Sequence, residues 1–225
     1  MSKGPIAVAL DGPDLATVAG WAHAVAPHVS TLKVGLEAYL RDGAAAVEVV
    51  RTAGCALFLD LKLHDIPNTV AGAARSVSHF APDYLTVHAL GGRDMIRAAV
   101  EALPGTRITA VTVLTSMDAQ ALADVGIATD PLTTAVRLAV LAVEAGARAI
   151  VCSPLEVAAI RAAVPNDITL ITPGVRPAGT ALGDQRRVAT PQQALADGAD
   201  LVVIGRPITG AADPAAAAAA IAGSL

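Results

Sequence analysis

Short apolar runs alternate along the whole chain with longer segments whose apolar residues recur at helical spacing. The runs predict strands over residues 6–10, 30–34, 56–61, 84–88, 108–114, 149–152, 169–172 and 201–204. The segments between them predict helices over 15–25, 36–52, 69–80, 93–102, 132–145, 155–163, 191–196 and 214–221. Asp130-Pro131, Asp213-Pro214 and Ser153-Pro154 mark helix starts, because a capping oxygen there precedes a proline suited to the first turn. Gly54-Cys55, Gly146-Ala147 and Gly198-Ala199 mark helix stops leading into the next strand. The longest connection, 116–130, predicts a short extra helix at 118–124.

Strands that are apolar throughout are buried on both faces, which implies a parallel sheet. Eight strand–helix units of about thirty residues point to a closed (β/α)8 TIM barrel, an α/β fold filling residues 1–225 as a single domain. The competing architecture is an open doubly wound sheet. It calls for a glycine-rich fingerprint after the first strand, and Asp11-Gly12-Pro13-Asp14 is not one.

Composition narrows the class. The 225 residues are 54% hydrophobic and 16% charged, which describes a folded globular chain. Aromatics are only 2% and the net charge is -4, so a nucleic-acid partner is not expected, although one small phosphate site is allowed. Cys55 and Cys152 lie in apolar runs and read as small buried hydrophobes in a reducing compartment. No long apolar segment follows Lys3, and no apolar stretch is long enough to span a bilayer. The expectation is a cytoplasmic protein with no membrane partner. The histidines (His23, His28, His64, His79 and His88) show no metal-ligand spacing, so no metal site is expected.

The chemistry gathers where strands end. Strand one ends at Asp11, strand two carries Lys33, and strand three carries Asp60 and Lys62 at i and i+2, on one face of a strand. Strand four ends at His88, five at Thr115-Ser116, seven at Pro173-Gly174-Val175-Arg176 and eight at Gly205-Arg206. In a barrel these ends meet at one mouth, where active sites are built. Asp11, Lys33, Asp60 and Lys62 would there form an alternating charge array, which a purely structural ion-pair network explains less readily than a site does. Gly205-Arg206 with Arg176 and Gln185 reads as a phosphate grip, since arginine binds phosphate with two parallel hydrogen bonds. The plainer alternative for each arginine is a solvated surface charge. The glycine-rich loop 177–187 is long for its position and reads as a lid.

These residues together resemble a known family. Asp60-x-Lys62-x-x-Asp65-Ile66-Pro67-x-Thr69 occurs with Asp11, Lys33, Leu114-Thr115-Ser116, Thr172-Pro173-Gly174-Val175-Arg176, Gly183-Asp184-Gln185 and Ile204-Gly205-Arg206. This set is similar to the bacterial orotidine 5′-phosphate decarboxylases, from the first strand to the last. The resemblance implies conversion of orotidine 5′-phosphate to uridine 5′-phosphate and carbon dioxide, in pyrimidine biosynthesis, with no cofactor and no metal. It implies that Lys62 protonates C6, Asp60 lies against the departing carboxylate, and Lys33 and Asp65 complete the charge network. Asp11 and Lys33 would contact the ribose, Thr115 with Ser116 the base, and Arg176, Gln185, Gly205 and Arg206 the phosphate, with Pro173 also among the substrate-binding residues. Asp65, Ile66 and Thr69 would reach the neighbouring subunit's site in a homodimer with shared active sites.

Such residue types suit the reaction. Loss of carbon dioxide leaves an electron pair in the ring plane, where the π system delocalises it poorly. A fixed cation stabilises that charge without reorganising solvent. A lysine without carboxylate neighbours would more naturally be a base or Schiff-base nucleophile. The nearest enzyme alternatives are the magnesium-dependent 3-keto-L-gulonate 6-phosphate decarboxylases and hexulose phosphate synthases. They share Asp-x-Lys-x-x-Asp but place a glutamate where this chain has Lys33. The alternative of another class is an inert barrel that only binds a phosphate ligand, which would not need Lys62, Asp60 and Asp65 together.

Overall fold

In a computed structural model, residues 3–176 and 189–225 are described. Eight parallel strands close into a barrel: β1 (Gly4–Ala9), β2 (Val29–Gly35), β3 (Ala56–Leu63), β4 (Tyr84–His88), β5 (Arg107–Val111), β6 (Ala149–Val151), β7 (Thr169–Thr172) and β8 (Leu201–Ile204). Each strand pairs with the next in sequence, and β8 pairs back to β1 through Ala7 and Val203. The open-sheet alternative is thereby excluded. Around the strands run α1 (Leu15–Val25), α2 (Leu36–Asp42), α3 (Ala44–Ala53), α4 (Pro67–Ser76), α5 (Gly92–Ala102), α6 (Ala119–Asp124), α7 (Pro131–Glu144), α8 (Val157–Ala163), α9 (Pro191–Ala196), α10 (Arg206–Thr209) and α11 (Pro214–Gly223). No helix among the described residues is long and apolar enough to cross a membrane.

Strand alternation sorts the core into two layers. Ala7, Ala9, Phe58, Ala149, Ile171, Leu201 and Val203 pack together inside the barrel. Their neighbours in the chain (Ile6, Val8, Leu57, Leu59, Ile150, Leu170, Val202 and Ile204) join the larger cluster between strands and helices. Three alanines among seven interior residues leave room for one large ring, and Phe58, 1% exposed, fills it. Above that plug the inward positions of β2, β3 and β4 turn polar, with Lys33, Asp60 and Thr86.

The helix signals act as expected. Asp130 and Asp213 accept the backbone N–H of Thr133 and Ala216, each at 3.0 Å, just ahead of a first-turn proline. Ser153 opens a capping box with Glu156 on the turn that leads into α8. The extra helix forms as α6, capped by Asp118. Three expectations need correction. The helix expected over 69–80 begins at Pro67 and ends at Ser76, and a separate 3-10 turn follows over Ser78–Phe80. The helix expected over 36–52 is two helices, because Gly43 adopts φ 55°, a left-handed backbone that ends one helix before the next begins. The strand expected over 108–114 ends at Val111, because its partner β6 has only three residues. Thr112 makes the last link, its N–H and hydroxyl both donating to Val151 O at 3.1 and 3.0 Å.

Neither cysteine is in a disulfide. Cys152 is buried, and its thiol is pushed up to about 12, by burial first and then by Glu156. It therefore packs as a neutral apolar group. Cys55 is only half-buried and accepts a hydrogen bond from Lys3 Nζ at 3.3 Å.

Candidate active site

Four charges meet at the C-terminal mouth of the barrel, and Asp60 is their hub. Its Oδ2 lies 3.2 Å from Lys33 Nζ, and its Oδ1 accepts from Lys62 Nζ at 2.8 Å. Lys33 Nζ lies 3.6 Å from Asp11 Oδ2. The array therefore runs Asp11–Lys33–Asp60–Lys62, alternating in sign. The Asp60 and Lys33 side chains are 11% and 9% exposed, against 33% for Lys62 and 42% for Asp11. The array is thus sealed at its centre and open at both ends. Burial pushes the Asp60 carboxyl up, but Lys33 and Lys62 outweigh burial and hold it below the ordinary carboxylate value.

Asp60 and Lys62 do share a side of β3, although the strand is not regular there. Leu59 pairs with Leu85 and Leu63 with Val87, so residues 60–62 face the single residue Thr86. Two extra residues preserve the parity of the alternation, where one would reverse it. Leu61 and Leu63 stay against the outer cluster while Asp60 and Lys62 point to the mouth. Lys62 absorbs the irregularity with φ 49°, one of two non-glycine residues with positive φ among those described. Its N–H donates to Thr86 Oγ1 at 2.7 Å, and the Thr86 hydroxyl donates to Asp60 Oδ1 at 3.1 Å.

Two cavities adjoin this array. One, of about 170 Å³, has Lys33, Asp60 and Lys62 on one side and Phe58, Val111, Val113 and Val151 on the other, with Thr115 and Pro173 beside them. The second, of about 440 Å³, shares Pro173 and Val203 with the first and is lined by Asp11, Glu37, Arg176, Gly205 and Arg206. Arg206 is the first residue of α10, directly after Gly205 at the end of β8. Arg176 is held where Val175 bridges Ala189, its N–H donating to Ala189 O at 2.9 Å. One cavity thus offers charge against an apolar wall, and the other offers two guanidinium side chains.

Other expected residues stand apart. Asp65, Ile66 and Thr69 are exposed at the start of α4 and line neither cavity of their own chain; Ile66 is 66% exposed. Asp65 Oδ1 accepts the Ile66 N–H at 2.6 Å. Ser116 is exposed and lines neither cavity, whereas Thr115 does line one. Gln185 and the loop read as a lid lie outside the described residues. His64 and His88 stack with ring centroids 5.4 Å apart. His88 is held below the ordinary histidine value, by burial first and then by His64 and Lys62.

Thr86, Gly35 and Glu37 were not expected from sequence. Thr86 is the central residue of β4, where a threonine reads as an ordinary strand former. Gly35 shows no signal either; its role is space, because a Cβ there would lie 2.7 Å from Asp11 Oδ1 and 2.8 Å from Lys33 Nζ.

Residues 4–221 match the model of the orotidine 5'-phosphate decarboxylase / HUMPS family. An orotidine 5'-phosphate decarboxylase of Thermobifida fusca is 71% identical over 222 residues, covering 98% of this chain and 95% of that protein. One from Frankia casuarinae is 55% identical, covering 99% and 88%. Among solved structures, the orotidine 5'-phosphate decarboxylase of Lactobacillus acidophilus superposes with a TM-score of 0.83 at 34% identity, covering 97% of each chain.

Proposed function

The chain belongs to the orotidine 5′-phosphate decarboxylase / HUMPS family, and from that premise we propose that it converts orotidine 5′-phosphate to uridine 5′-phosphate and carbon dioxide. This is a carboxy-lyase step of pyrimidine biosynthesis. The observation that carries the reading is the alternating array on Asp60, set against an apolar cavity wall.

In this reading Arg176, Gly205 and Arg206 take the phosphate beside Pro173, and Gln185 joins them on the strength of the resemblance alone. Asp11 and Lys33 take the ribose hydroxyls. Thr115, with Ser116 adjoining, hydrogen-bonds the base. The pyrimidine C6 then lies by Lys62 and its carboxylate by Asp60. The C6–carboxylate bond breaks, its electron pair stays on C6, and a proton of the Lys62 ammonium forms the new C6–H bond. Solvent later returns a proton to Lys62. Carbon dioxide leaves uncharged, which suits the wall of Phe58, Val111 and Val151. The Asp60 carboxylate stays ionised between two cations and opposes the substrate's own carboxylate, an opposition relieved as carbon dioxide departs. No metal or organic cofactor enters these steps.

The same reading makes Asp65, Ile66 and Thr69 contributors to a second subunit's site, which would account for their exposure. The enzyme would be a homodimer of single-domain barrels, working in the cytoplasm, in keeping with two free thiols. The family also holds the HUMPS branch. Lys33 Nζ lies between the Asp11 and Asp60 carboxylates, so an ammonium stands where two carboxylates would otherwise hold a cation. The test is the absorbance of orotidine 5′-phosphate on addition of the purified protein with EDTA present. Full turnover in EDTA is expected. Turnover abolished by EDTA, or tight binding of uridine 5′-phosphate with no turnover, would replace the reading with the metal-dependent or the binding-only alternative.

A further inference from the structure

We propose that Thr86 is the positioning residue that sets the proton donor: its one hydroxyl ties both ends of the β3 irregularity and so fixes Lys62 against Asp60. The inference rests on the decarboxylase reading for its kinetic consequence, but its structural content stands on geometry alone.

Thr86 is 0% exposed and lies on β4 opposite three residues of β3. Those three residues cannot all find ladder partners on one opposing residue. Lys62 N–H, with its strand-ladder partner displaced, donates instead to Thr86 Oγ1 at 2.7 Å. A threonine hydroxyl has one proton, and here it goes to Asp60 Oδ1 at 3.1 Å. The direction of both bonds is therefore fixed, since an N–H only donates and a carboxylate only accepts. Asp60 Oδ1 is also the atom that receives Lys62 Nζ at 2.8 Å. Thr86 thus holds the Lys62 backbone from one side and orients the carboxylate that holds the Lys62 side chain from the other. The left-handed backbone of Lys62 is uncommon for a residue with a side chain and needs such a restraint to persist.

Removing the hydroxyl loses both restraints at once. Thr86→Val keeps the shape but leaves the Lys62 N–H without its acceptor in a half-buried site. Thr86 lies among interior strand residues and not on the phosphate side, so ligand binding through the arginines is unaffected. Thr86→Val is expected to lower kcat roughly 10- to 100-fold, the range of a hydrogen bond to a charged group, with KM and uridine 5′-phosphate affinity changed less than about threefold. Thr86→Ser, which restores the hydroxyl, is expected to recover kcat to within about threefold of the parent. A role in stability alone would lower the melting temperature while leaving kcat per folded enzyme unchanged, and that result overturns the proposal.

A crystal structure of the Thr86→Val protein gives a readout independent of turnover. Lys62 is expected to leave the left-handed region and its Nζ to separate from Asp60. Retention of both features overturns the proposal even if activity falls. Should the valine variant not fold, Thr86→Ala against Thr86→Ser makes the same comparison. If the parent protein itself shows no turnover, the decarboxylase reading fails, and the Lys62–Asp60 separation in the variant still decides for or against Thr86.

Discussion

Lys62 is exposed enough to meet a substrate, yet its ammonium is already bound to Asp60 at 2.8 Å. In the proposed decarboxylation its contribution to rate would be both a proton and a fixed positive charge. General acid catalysis is worth roughly 10²–10⁴-fold, and charge stabilisation adds to it. Lys62→Ala is therefore expected to lower kcat by at least about 10⁴-fold while uridine 5′-phosphate still binds; titration calorimetry beside the absorbance assay separates the two. Acidity gives a second residue-level prediction. The His88 value is depressed in the folded state, so its contribution to stability is fully present above the unfolded value near 6.5 and is lost as pH falls below it. Asp60 is depressed as well, and its contribution is lost only below 3.8, as pH falls through its folded value. Urea denaturation between pH 7.5 and 5 should show the parent losing stability and His88→Gln losing less. Equal slopes for the two proteins would remove His88 from the account. Most of the charges in the site could be read from the sequence, because a charged residue at the end of an apolar strand has few uses. Thr86 was passed over because a threonine in a strand looks like an ordinary β-former.

At the level of elements, the mouth depends on where strands stop being regular. The i, i+2 spacing of Asp60 and Lys62 gives the right side of β3, but the cause is a two-residue irregularity that no hydrophobic pattern marks. Holding Lys62 in its left-handed backbone costs about 1–3 kcal/mol, which the surrounding barrel must offset. The junction of β2 and α2 has a comparable constraint. Gly35 is the last residue of the strand and caps the helix, and the space where its side chain would stand holds Asp11 Oδ1 and Lys33 Nζ. Gly35→Ala is expected to push the Asp11–Lys33 pair apart, leaving the barrel folded while raising KM if that pair takes the ribose as proposed. The Asp11 end moves more easily because that side chain is 42% exposed, against 9% for Lys33. A KM within about twofold of the parent would mean that the pair yields without loss. The helix boundaries followed from caps and glycines, whereas this requirement for empty space appears only once two strands are brought side by side.

For the molecule as a whole, barrel closure was legible because eight similar units leave no edge strand, and β1 and β8 do pair. Ile66 is one of several exposed large apolar residues, at 66%, and it stands out by its place, three residues after Leu63 in the segment that carries Asp60 and Lys62. Asp65 and Thr69 are exposed beside it and line neither cavity of their own chain. If these residues complete a partner's site, each site takes Lys62 from one chain and Asp65 from the other. Two inactive variants should then rescue each other. In a mixed dimer of Lys62→Ala and Asp65→Ala chains, one site carries both substitutions and the other carries neither. Random reassociation of equal amounts makes about half the dimers mixed, so about a quarter of all sites regain native composition. Turnover should rise to about a quarter of the parent value after denaturation and refolding of the two variants together, but not separately. Sites built within one chain would leave the mixture as inactive as its components, because no exchange of subunits could bring Lys62 and Asp65 back into one chain.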